Sequence, residues 1–161
     1  MRNEETDGAT RRKGDAADQS AIRIPHSAFV KMKLAFDGAG APAGFAIRVK
    51  PNGEQSREPL SKLDAAMGKQ VPAPIDLGPA GEVIILELYG TGIRGRSAQT
   101  AVSATIGGVA AGIEYADRQP GFLGLDQVNL RVPRTLIGRG EVDLVLTVEG
   151  KTANIVKLQI R

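Results

Sequence analysis

The chain has 161 residues, 42% hydrophobic and 24% charged, which is enough for one domain of ordinary size with a real core and too little for a second full one. Its formal net charge is +3, with 21 Lys and Arg dispersed among 18 acids and few aromatics between them, so no nucleic-acid partner is expected. The absence of cysteine excludes disulfides, thiol catalysis and Cys-ligated metals, and a single histidine, His26, excludes any His-pair metal site.

Residues 1–22, MRNEETDGATRRKGDAADQSAI, mix both charges with small residues and hold almost nothing large enough to bury, which predicts disorder. They also lack the apolar stretch of about 7–15 residues that a signal peptide requires. The longest aliphatic run, Val83 to Leu86, falls far short of the roughly 20 residues of a spanning helix, so no membrane insertion is expected. His26, in Ile-Pro-His-Ser, reads as an exposed linker residue. From Ala28 to Phe36 the apolar residues Val30, Met32 and Leu34 alternate, as in an extra strand or a short amphipathic piece, and the Gly- and Ala-rich DGAGAPAG after it reads as a joint.

A period of two then dominates. Gly44 to Lys50 alternates Phe45, Ile47 and Val49 with Ala46, Arg48 and Lys50, and Asn52-Gly53 supplies hairpin chemistry. The returning piece, Gln55 to Leu63, and the Pro-bearing Lys69 to Leu77 complete an expected three-stranded meander, its last member confined to an edge or a bulge. Six further strands are expected at Glu82–Tyr89, Ala101–Ile106, Val109–Tyr115, Leu125–Val132, Glu141–Val148 and Ala153–Ile160. With the Pro-rich strand these make about seven short strands, a spacing that suits a two-sheet β-sandwich.

Gly90-Thr91-Gly92-Ile93-Arg94-Gly95 spells G-x-G-x-x-G after a strand, and Glu114 stands 19 residues beyond Gly95, near the place of a ribose-binding acid. Ser97 to Thr105 has room for only about 13 Å of helix, at about 1.5 Å per residue. Downstream, Pro120, Gly121 and Gly124 forbid the crossover helix that a doubly wound sheet needs. The glycines therefore read as a tight exit from a core strand, with Gly90, Gly92 and Gly95 free to take backbone angles closed to other residues, and no cofactor is expected.

The segments YGTGIRGRS, VSATIGGVAAGIEYA and PGFLGLDQVNLRVPRTLIGRGEVDLVLTVEGKTANIVKLQIR, with DGAGAPAGFAIRVKPNGEQ and VPAPIDLGP upstream, resemble the Solibacter-type uncharacterised C-terminal domain family over residues 36–161. The resemblance implies an all-β fold: an immunoglobulin-like sandwich of the IPT/TIG, E-set-like type over 79–161, preceded by a short β-meander and linker over 36–78. It also implies a bacterial protein that is extracellular or at the cell surface, with partners in preceding domains of the parent polypeptide or in another protein. It supplies no catalytic, cofactor or metal residues. Residues 1–35 do not match, and neither a signal peptide nor a preceding immunoglobulin-like unit is present in this sequence, which leaves a truncated gene or a detached C-terminal fragment as the expected explanations.

Among other chemistries, Asp117, Asp126, Glu141 and Asp143 are carboxylates of the type glycoside hydrolysis uses, but Glu141 and Asp143 belong on the polar face of a strand and no site is visible, so no enzyme is expected. No D-x-D-x-D-G calcium loop occurs. Arg94 and Arg96 in the glycine turn and Arg118 in another loop form a candidate interaction loop, and Arg134 and Arg139 are further loop arginines. The expected role is a non-catalytic accessory domain in structural or protein contacts. The alternative, a carbohydrate-binding module with a glycan partner, has no Trp to stack on sugar and only Tyr89 and Tyr115.

Overall fold

The computed structural model describes residues 33–35 and 40–161. The expected leader over 1–22, His26, and most of the Ala28–Phe36 segment lie outside the described residues. From that segment Lys33–Leu34 forms β1, followed by β2 (Gly44–Val49), β3 (Gln55–Pro59), β4 (Ser61–Asp64), β5 (Lys69–Pro72) and β6 (Pro74–Ile75). Then come β7 (Val83–Thr91), β8 (Val102–Ile106), β9 (Val109–Arg118), β10 (Asp126–Arg131), β11 (Gly140–Val148), β12 (Lys151–Thr152) and β13 (Val156–Ile160). The described helices are single 3-10 turns at Gln99–Ala101 and Arg134–Leu136. The protein is all-β.

Hydrogen bonds link the strands in the order β3-β2-β7-β10-β9-β8-β11-β13-β6, antiparallel at every step but β13-β6. The sheet curls because β9 serves two partners: Val109–Ala111 pairs with β8, and Gly112–Arg118 pairs with β10. At the change of partner, register slips by one residue between Asn129 and Leu130, leaving Glu114 as the extra residue of a β-bulge. The bulge resets the alternation, so Ile113 opposite Leu130 and Ala116 opposite Val128 both reach the core cluster.

The curl encloses one core. Leu86, Leu88, Leu130, Leu144, Leu146, Leu158 and Ile106 are fully buried in it, each worth about 1.5–3 kcal/mol of apolar burial. Among the described residues the buried hydrophobics are Leu, Ile, Val and Ala, with no aromatic ring. The alternation in β11 and β13 is as expected, with Val142, Leu144, Leu146 and Val148 inward against Val156, Leu158 and Ile160.

The expected three-stranded meander is present in broken form: its middle piece, Gln55–Leu63, bends at Leu60, pairing with β2 before the bend and, as β4, with β5 after it. β2 and β3 make the Asn52-Gly53 hairpin, but the following chain folds into a separate β4-β5 hairpin, and Pro74–Ile75 runs parallel to β13 across the molecule. The prolines confine the last piece to edges, as expected: Pro72 and Pro74 lack N–H donors, and β5 and β6 each pair on one side only. β2 in turn pairs along its whole length with β7, so strands on both sides of residue 79 share one sheet and one core.

Candidate functional site

The G-x-G-x-x-G segment begins in β7 and continues as a loop to the 3-10 turn before β8. The three glycines do different work. Gly92 takes a left-handed backbone (φ 82°), as a tight exit requires, whereas Gly90 and Gly95 do not. Gly90 matters for another reason: β1 crosses so close that a Cβ would collide with the Lys33 carbonyl oxygen. At Gly95 a Cβ would meet nothing within 4 Å. The expectation of special backbone angles at all three is thus corrected to Gly92 alone.

No dinucleotide-type helix follows the loop, and its inward amides already have an anion. The Asp126 carboxylate, 1% exposed at the start of β10, accepts the N–H of Ile93 at 2.7 Å and of Arg94 at 3.2 Å through one oxygen. Its other oxygen accepts from Arg94 Nε, and Arg94 also donates to the Leu125 carbonyl at 2.6 Å. A carboxylate of the chain thus sits where a phosphate would be cradled. Glu114, the residue at ribose-acid spacing, is the bulge residue and accepts from Arg131 Nε at 2.7 Å.

The three arginines of the candidate interaction loop come to the same end of the sheet. Gly90, Asp126 and Arg118 stand in register across β7, β10 and β9, and the loop bearing Arg94 and Arg96 hangs from Gly90. Their states differ. Arg94 is committed to Asp126, and Arg96 donates from both terminal nitrogens to one Asp117 oxygen at 3.2 Å. Arg118 is exposed and its guanidinium makes no contact of this kind among the described residues. The Arg118 amide, aided by Arg96, holds the Asp117 carboxyl below its ordinary pKa. Ser97, through its hydroxyl and then its amide, which donates at 2.6 Å, lowers the Glu149 pKa and ties the β11–β12 turn to the glycine loop. Arg134 lies elsewhere, at the opposite end after β10, where it donates to the carbonyls of Leu77 and Gly78 at 2.8 Å and of Glu82 at 3.3 Å.

The carboxylates considered for hydrolysis are dispersed and occupied. Asp143 faces Lys157 at 2.6 Å across β11 and β13, with Glu141 alongside at 3.7 Å, and the paired acids raise the Lys157 pKa. A cavity of about 340 Å³ near Leu77, Val83, Ile84 and Pro133 is rimmed by Glu82, Arg131 and Arg134. Each of these is already engaged, by Arg48, by Glu114 and by the carbonyls just described.

The second surface feature is the outward face of the β3-β2-β7-β10-β9 part of the sheet, which the alternation of GFAIRVK did not identify. Ala46 is buried in the core, while Phe45, Ile47 and Val49 turn outward beside Val83, Ile85, Glu87 and Tyr89. Tyr115, in register with Asn129 and Glu87, joins them. A groove of about 350 Å³ crosses this face, floored by Ile47, Val49 and Ile85 and rimmed by Gln55, Arg57, Glu87 and Asn129. Arg57 lies over the Phe45 ring at 3.7 Å and bonds both Glu87 and the Tyr89 hydroxyl, the latter at 2.8 Å. Tyr89 in turn donates to Glu87, and burial and then that carboxylate raise its pKa. Sequence reasoning missed Asp126 as the centre of the glycine loop; an acid opening the stretch that carries Val128, Leu130 and Val132 was the available signal.

Compared with known protein families, curated proteins and solved structures, the chain matches none.

Proposed function

We propose that this chain is a non-catalytic accessory β-domain that acts by docking against protein surfaces, and that its docking face is the outward face of β3-β2-β7-β10-β9. The observation that carries this reading is the distribution of side chains. The core is aliphatic throughout the described residues, while Phe45, Tyr89 and Tyr115 stand outward beside the aliphatic-floored groove. Aromatic side chains at a protein–protein contact bring large area at little entropic cost, and Arg57 and Glu87 supply a polar rim. The end strands of the sheet are poor docking edges by comparison: β3 carries Arg57, Glu58 and Pro59, and β6 begins with Pro74.

In this reading the fold is an immunoglobulin-like sandwich of the IPT/TIG type, the chain is a member of the Solibacter-type C-terminal family, and its partners are preceding domains or another protein outside the cell. The antiparallel curl about a single core and the engagement of each candidate carboxylate in an ion pair support it. A glycan reading draws support from the tyrosines on the same face as Gln127 and Asn129, but Arg57 already covers the Phe45 ring on which a sugar would stack.

The test is a paired capture. Immobilised wild-type chain and an Ile47→Asp/Ile85→Lys variant are exposed to the same extract of the source cell, and retained proteins are quantified side by side. The variant should melt within a few degrees of wild type and lose the specifically retained protein. Equal retention by both would refute the docking face, and a strong glycan-array signal abolished by the same variant would favour the glycan reading.

A further inference from the structure

We propose that the Phe122–Leu123 tip of the β9–β10 hairpin seats this end of the domain on an anionic lipid surface, with Arg118 at headgroup level. The tip is built. Gln119 donates its amide to the Leu125 carbonyl at 2.8 Å, and its side-chain oxygen accepts the amides of Gly121 at 2.6 Å and Phe122 at 2.7 Å. Below it, the Tyr115 hydroxyl donates to the Arg118 carbonyl at 2.6 Å. On this preformed turn Phe122 is 67% exposed and Leu123 fully so, although both are large apolar side chains. An apolar pair held out into water by a turn that its own chain stabilises is costly for a molecule with no use for it.

The surroundings point to the kind of surface. The adjoining Pro120, Gly121 and Gly124 are exposed and offer little side-chain area, so the tip lacks the roughly 800 Å² per partner of a standard protein interface. A fluid apolar phase requires no complementary shape. The acids at this end are all engaged: Asp117 by Arg96, Asp126 by Arg94 and two amides, and Glu149 by Ser97. Arg118 is exposed at the base of the tip, where its charge also acts on Asp117, and with Lys33 beside Thr91 and Lys151 in the β11–β12 turn the cations Lys33, Arg94, Arg96, Arg118 and Lys151 outnumber the carboxylates Asp117, Asp126 and Glu149. No described helix is long and apolar enough to cross a membrane.

The experiment is vesicle flotation of the full chain with phosphatidylcholine vesicles containing or lacking phosphatidylserine. Wild type should float with the anionic vesicles and much less with neutral ones. Phe122→Ser/Leu123→Ser should weaken flotation at least about tenfold, and Arg118→Glu several-fold, on the order of the contribution of one juxtamembrane cation. Both variants should keep the wild-type melting temperature, because neither site is buried, and Ile47→Asp/Ile85→Lys should float like wild type, which separates this surface from the docking face. The proposal is overturned by absence of flotation at millimolar lipid, by equal binding to neutral vesicles, or by undiminished binding of the double Ser variant. A chain that ignores vesicles but self-associates through Leu123 in analytical ultracentrifugation would overturn it in favour of a second copy.

Discussion

The two ends of the sheet are stitched by the same ionic chemistry used in opposite senses. At the glycine end the loop turns amides inward, and a buried anion, Asp126, gathers them together with Arg94. At the far end the 77–82 segment turns carbonyls inward, and a cation, Arg134, gathers three of them. Arg48 reinforces that end, bonding Glu82 and the Asp76 carbonyl, each at 2.7 Å, and its pKa is raised chiefly by Glu82. Backbone groups removed from water need partners, so whichever polarity a loop presents inward selects the sign of the side chain at its centre. A phosphate-like cradle in a sequence is therefore ambiguous until it is known whether the chain carries its own anion to fill it.

The sharpest way to break the comparison is to remove each centre. Asp126→Ala strands two amides and the Arg94 guanidinium at a nearly water-free position, and should cost about 2–4 kcal/mol, less than a wholly buried pair because Arg94 is partly exposed. In urea unfolding this would appear as a lowered midpoint with an unchanged slope. Arg134→Met strands carbonyls instead, and because Arg134, Gly78 and Glu82 are only half-buried the expected loss is smaller, about 1–3 kcal/mol. Arg134→Lys should recover only part of it, since an ammonium cannot reproduce the planar fork reaching Leu77 and Gly78. Equal losses at the two ends would show that burial of the centre is not what sets the scale.

Within the glycine end the comparison can be sharpened residue by residue. Gly92→Val imposes a left-handed backbone on a β-branched residue and should cost about 1–3 kcal/mol, a lowering of melting temperature by several degrees. Gly95→Ala should fall within about 0.5 kcal/mol of wild type, as expected of a surface change into open space. If both melt like wild type, the loop is not held in the geometry that Asp126 enforces.

How much of this could be read in the sequence follows from the range of the interactions. The strands at Val83–Thr91, Val102–Ile106, Val109–Arg118, Asp126–Arg131 and Gly140–Val148 were legible within a few residues, because alternation and turn chemistry are local. The face that β2 buries was not: a period of two separates Phe45 from Ala46 without saying which meets the core, and only pairing with β7 decides it. Nor was the bulge at Glu114, since the small residues of VAAGIEYA carry too weak an alternation to reveal a slip. Arg94 and Arg96 were legible as loop residues, but their neutralisation by Asp126 and Asp117, 32 and 21 residues away, depends on strand register.

Acid should act on the glycine end through two further carboxyls, Asp117 and Glu149, both held below their ordinary pKa values, by the Arg118 amide with Arg96 and by Ser97 respectively. A carboxyl with a lowered native pKa favours the folded form when ionised. Its contribution is complete above the ordinary carboxylate range and is lost as pH falls through that range towards the lowered native values. Both groups are largely solvent-exposed, so the global effect should be small and the local one clearer. Amide exchange, corrected for its intrinsic pH dependence, should show Ser97 and Arg118 losing protection as pH drops from neutral towards 3, while Val156 and Leu158 in β13 hold theirs. Parallel loss in the loop and in β13 would mean that these contacts merely report global unfolding, and that the carboxylate ties do not stabilise the glycine end locally.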